Sequence, residues 1–167
     1  MKKYNEFVAF DLETTGLSPK NSTIIEIAGI KYRNGQAVDK FHSMVNPGYP
    51  IPFYITKVNG ITDEMVKDAP SLDPVLIEFN KFCEGLPLVA HNAKFDMSFL
   101  YEYGKDFNND VIDTLQLSRE MFPFLPNHKL NTVVGHLGVT EGGFHRAFFD
   151  CQCCSKIYLE YIYAHLT

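Results

Sequence analysis

Phe7-Val8-Ala9-Phe10 is an apolar run that a water-soluble chain must bury on both sides, and an acid follows it directly. A strand buried on both faces sits inside a sheet, so the spacing predicts a central strand over 7–12. Thr14-Thr15-Gly16-Leu17-Ser18-Pro19 breaks it. Alternate strand residues share a face, so Asp11 and Glu13 point the same way, with small Ala9 beneath them. Like charges held side by side repel unless a cation intervenes.

Two further acids sit where the local pattern calls for apolar residues. Asp96, in His91-Asn92-Ala93-Lys94-Phe95-Asp96, has Phe99, Leu100 and Tyr103 at helical spacing behind it. That places it on the stripe facing the sheet. Asp150, after His145-Arg146-Ala147-Phe148-Phe149, shares its stripe with Ala147, Cys154, Ile157 and Tyr161. Unpaired buried carboxylates are costly, and no lysine or arginine is placed to serve all four. Clustered carboxylates suit magnesium or manganese better than zinc. His145 follows Gly142-Gly143-Phe144 and is expected on a loop at a helix start, able to approach the acids. Histidine is a common general base.

The rest of the chain fixes the fold class. Strands are expected over 24–32 and 38–45, joined at Asn34-Gly35, which completes an antiparallel meander. Asn46 to Tyr54 carries three prolines and reads as a surface loop. Helices are expected from Thr62 or Asp63, from Pro70-Ser71, from a cap at Asn92 to about Tyr103, over 114–121, over 129–137, and over 147–165. Short buried strands are expected at 86–90 and 111–112. A meander followed by alternating strands and helices is an α/β pattern, a mixed sheet flanked by helices, in one domain over 1–167.

Composition excludes some classes. A formal net charge of −5 argues against gripping long duplex by charge alone. No apolar stretch is long enough to span a membrane, and the N-terminal run is too short for a signal peptide. Of Cys83, Cys151, Cys153 and Cys154, three crowd into one helix; free thiols and a reducing cytoplasm are expected.

The motifs Phe10-Asp11-Leu12-Glu13-Thr14-Thr15-Gly16-Leu17, His91-Asn92-Ala93-Lys94-Phe95-Asp96 and His145-Arg146-Ala147 with Asp150 strongly resemble the DnaQ-like 3′–5′ exonucleases of the DEDDh type. Asn59-Gly60-Ile61-Thr62-Asp63-Glu64 and His128-Lys129-Leu130-Asn131-Thr132-Val133 look like that family's connecting segments. Within it, the pattern is most similar to the proofreading subunit or domain of bacterial DNA polymerase III. The resemblance implies an RNase H-like fold and two magnesium or manganese ions held by Asp11, Glu13, Asp96 and Asp150. It implies that His145 takes the proton from the attacking water. Thr14, Thr15, Gly16 and Leu17, with Gly60, Ile61 and Asn92, would seat the substrate. The implied substrate is a single-stranded or frayed 3′ end, DNA rather than RNA, cut to nucleoside 5′-monophosphates, with a polymerase as possible partner. The alternatives are an exoribonuclease resembling oligoribonuclease or RNase T, and an inactive nucleic-acid or polymerase binding module.

Overall fold

A computed structural model describes residues 3–104, 106–139, 143 and 145–165. Gly142 and Phe144, of the joint expected before the last helix, lie outside the described residues.

Five strands form one sheet in the order β3-β2-β1-β4-β5. They are β1 (Glu6–Thr14), β2 (Ile24–Arg33), β3 (Gln36–Met44), β4 (Leu88–Ala90) and β5 (Val111–Asp113). β1 is central, as its two apolar faces require. It pairs antiparallel with β2 and parallel with β4. β2 pairs antiparallel with β3, and β4 parallel with β5, so the sheet is mixed. Asn34 and Gly35 both take positive φ, which gives the tight β2–β3 turn its hand.

Seven helices are described: α1 (Phe53–Asn59), α2 (Asp63–Val66), α3 (Leu72–Cys83), α4 (Ala93–Tyr103), α5 (Thr114–Met121), α6 (Leu130–His136) and α7 (Ala147–Ala164). Val8, Phe10 and Leu12 alternate onto the face packed by α3 and α4, where Val75, Leu76, Phe79, Phe99 and Leu100 complete the core. Phe7 and Ala9 take the opposite face with Tyr158 and Tyr161 of α7. From Phe7 to Phe10 β1 offers only apolar side chains to the two layers, and all four are fully buried.

Two expectations need correction. The segment 46–54 is not all loop, because α1 starts at Phe53, directly after Pro52. Proline is tolerated at a helix start, and Gly60 closes the same helix in the left-handed region at φ 74°. Asn92 holds the cap position of α4 without capping through its side chain. Side-chain caps need an extended backbone, whereas Asn92 is left-handed at φ 60° and gives its N–H to Asp113 Oδ1 at 2.9 Å.

All four cysteines are buried and unpaired. Among the described residues no helix is long and apolar enough to cross a membrane.

Candidate active site

β1 runs on past its last pairing with β4, Ala9 to Val89, so Asp11 and Glu13 stand at an open end of the sheet. On the other side β1 stays paired to β2 up to Glu13 opposite Glu26, then slips register at Thr14. Such irregularities re-aim side chains next to functional sites. Asp96 and Asp150 each lie in the first turn of a helix, α4 and α7, and both are buried. The N–H of Leu12 donates to Asp96 Oδ1 at 3.2 Å, tying α4 to β1 between the two strand acids. The N–H of His145 donates to Asp150 Oδ2 at 3.0 Å. Glu13, His145 and Asp150 bring one ligand atom each within 4.8 Å of one another. Asp11 and Asp96 are not in that trio but feel it electrostatically.

Burial pushes the Glu13 carboxyl up to about 8, although the amide of Asn59, donating to Glu13 Oε2 at 3.3 Å, opposes the rise. Burial takes Asp96 up to about 8 against the Leu12 N–H. It takes Asp150 up to about 7 against the His145 N–H. Asp11 is driven well above the usual carboxylate range, first by burial and then by Asp96 and Asp150. Among the described residues none of the four forms an ion pair with lysine or arginine. Asp150 Oδ1 is buried with no hydrogen-bond partner among the described residues. Oxygen-rich, over-negative and with one acceptor left unpartnered, the set fits a hard divalent cation.

His145 is exposed and left-handed, with φ 66°. A non-glycine residue holds that conformation only where its surroundings over-determine it. Asp150 supplies one restraint. The other is Glu26, a residue the sequence reading missed. Glu26 is buried to 1% exposure on β2. It accepts from Arg146 Nη2 at 3.1 Å and from the N–H of Ala147 at 3.4 Å, and its Oε1 lies 2.8 Å from His42 Nε2. The signal was a lone acid in the otherwise apolar Ile24-Ile25-Glu26-Ile27-Ala28. Asn59 was missed as well; it is the last residue of α1, buried against Glu13.

The expected substrate-seating residues fall into three groups. Thr14, Thr15 and Gly16 are buried, and the turn they form ends on Leu17, which is 85% exposed. A side chain at position 16 would meet Ser22 Oγ at 2.4 Å, so Ser22 would have to turn away to admit one. Gly60 is exposed, but Ile61 is fully buried with Ile25, Ile51 and Val66, and no surface of it is open to a ligand. Asn92 stands on a neighbouring cleft with His91. The cleft at the acids, about 440 Å³, is lined by Lys129, Leu130, Asn131, His145 and Asp150.

The exonuclease family model named RNase_T matches residues 8–158. The chain belongs to this exonuclease family. It is 45% identical over 159 residues to the PolC-type DNA polymerase III of Caldanaerobacter subterraneus subsp. tengcongensis, covering 93% of this chain. It spans only 11% of the length of that relative. Among solved structures it resembles exonuclease X in complex with 5′ overhanging duplex DNA, at 25% identity and TM-score 0.77, over 95% of this chain and 92% of that one. It also resembles the nuclease domain of 3′hExo, a DEDDh family member, bound to rAMP. There the TM-score is 0.81 at 18% identity, over 97% and 94% of the two chains. The mixed sheet is thus the RNase H-like sheet expected of an exonuclease domain.

Proposed function

We propose that this exonuclease domain removes nucleotides one at a time from single-stranded or frayed 3′ ends of DNA, as nucleoside 5′-monophosphates, using two magnesium or manganese ions. The observation that carries this reading is the buried Asp150 Oδ1, without a partner among the described residues, beside Glu13 and His145 and within a set of carboxylates raised toward neutrality. Asp11, Glu13, Asp96 and Asp150 would hold the ions, which supply Lewis-acid stabilisation of charge at the phosphodiester and a more acidic water. His145, exposed at the cleft, would take the proton from the attacking water. Asp150, accepting the backbone N–H of His145, fixes the main chain from which the imidazole projects. Asn59 orients Glu13 through its amide. The Thr14–Gly16 turn and Gly60 seat the terminal nucleotide, with exposed Leu17 against its base.

DNA is favoured over RNA because the PolC-type relatives are DNA polymerases and exonuclease X was captured on DNA. The same relatives support proofreading alongside a polymerase in the bacterial cytoplasm, a setting in which four free thiols are stable. The net charge of −5 leaves little affinity for duplex, which favours frayed ends.

The test is digestion of 5′-labelled DNA and RNA single strands and blunt duplex, with magnesium, manganese or chelator. A one-nucleotide ladder from single-stranded DNA, abolished by chelator and restored by either metal, is expected. Undiminished cleavage in excess chelator would refute the metal reading, and faster loss of RNA would favour the exoribonuclease.

A further inference from the structure

A second cleft opens beside the acids. It is about 340 Å³ and is lined by His91, Asn92, Leu115, Arg119, His128 and Lys129. Lys129 lines the catalytic cleft too, so the two share a wall. The second cleft has a built frame. His91 Nδ1 lies 2.9 Å from Thr114 Oγ1, and its Nε2 lies 2.8 Å from the His128 carbonyl. His128 Nδ1 lies 3.1 Å from Ser118 Oγ. Both imidazoles are thereby fixed against α5 as walls.

The groups that remain available are cationic or amide. Arg119 and Lys129 are exposed and form no ion pair among the described residues. The Asn92 side chain is exposed and makes no hydrogen bond among them. Asp113, the acid next to this cleft, is already engaged by the N–H groups of Asn92 and Leu115, both on its Oδ1. In a chain of net charge −5, two unpaired cations and an idle amide around one concavity select an anion.

We propose that this cleft is a phosphate subsite, holding a backbone phosphodiester of the strand upstream of the bond that is cut. The proposal rests on the exonuclease reading. A backbone phosphate fits better than a base, because the groups left free are two cations and an amide while both imidazoles are already engaged with α5 and its neighbours. Contacts of this kind position a strand without reading its sequence. The shared wall at Lys129 lets a strand whose end lies at the acids continue into the second cleft. A substrate with a single phosphate cannot reach both.

The test compares short oligothymidylates with the p-nitrophenyl ester of thymidine 5′-monophosphate, which has no upstream phosphate. Arg119→Gln should raise KM for the oligonucleotide about tenfold, as loss of a charge-assisted contact does. It should leave ester hydrolysis within about twofold, because the catalytic groups are untouched. The dependence of log KM on log salt should become shallower by roughly 0.7, the share of one phosphate contact on a single strand. Equal loss on both substrates, or an unchanged KM and salt slope, would overturn the subsite. Anisotropy of a labelled oligothymidylate in chelator reads the same site without hydrolysis. Weaker binding by Arg119→Gln, with a wild type inert on both substrates, would refute the exonuclease reading and keep the subsite. Identical binding by wild type and variant would refute the subsite alone.

Discussion

The metal-free protein should lose stability as pH rises from about 6 to 8, and this follows from the sign of its carboxylate shifts. Glu13 and Asp96 are pushed up to about 8 in the folded chain and Asp150 to about 7. Unfolded, each ionises near pH 4. Between the two values the unfolded chain has released a proton that the folded chain still holds. Each raised group therefore favours the fold fully below about pH 4, and that advantage drains away until pH passes the folded value. One group crossing two pH units within that window changes stability by about 3 kcal/mol. The groups share burial and mutual repulsion, so three of them do not give three times that; about 3–5 kcal/mol is the expected total. For a chain of this length that is roughly 10 °C in Tm. Melts followed by circular dichroism in chelator at pH 6 and pH 8 measure it. Asp96→Asn removes one titrating group and keeps an oxygen to accept the Leu12 N–H, so its pH dependence should be flatter. Magnesium at pH 8 should recover most of the lost stability, because the ion binds the folded set. A wild-type Tm in chelator that is equal or higher at pH 8, or a variant as steep as wild type, would refute the reasoning.

His145→Ala should lower turnover by about 10²–10⁴-fold, the usual worth of a positioned base, with metal affinity by calorimetry nearly unchanged. Near-normal turnover would remove the residue from the mechanism. Arg146→Ala should cost about 1–3 kcal/mol, less than a wholly buried pair because Arg146 is nearly half exposed while Glu26 is 1% exposed. In a His145→Ala background the same change should lower turnover no further, and an additional drop there would show that Arg146 acts by another route.

What could be read from the sequence depended on whether a residue's role is local. Period 2 put Asp11 and Glu13 on one face of β1, and helical spacing put Asp96 and Asp150 on buried stripes. Those are short-range statements, and the structure bears them out. Glu26 escaped because its reasons lie elsewhere in the chain: His42 sixteen residues on, Arg146 one hundred and twenty. Read locally, it was one acid in a strand with no helical or alternating partner to give it meaning. Asn59 escaped for a related reason. Its helix, α1, begins inside a proline-rich stretch whose composition reads as loop, and only the left-handed Gly60 at its end marks it. Asn92 shows the opposite failure, in which a correct helix start suggested the wrong device: the side chain was expected to cap, but the backbone turned left-handed and surrendered its N–H to Asp113. With that turn the Asn92 side chain makes no cap hydrogen bond to its own helix, and the residue lines the cleft with Arg119 and Lys129. The departure from ordinary capping is therefore what leaves an amide available there, and a local rule was broken at the place where a strand would have to be held.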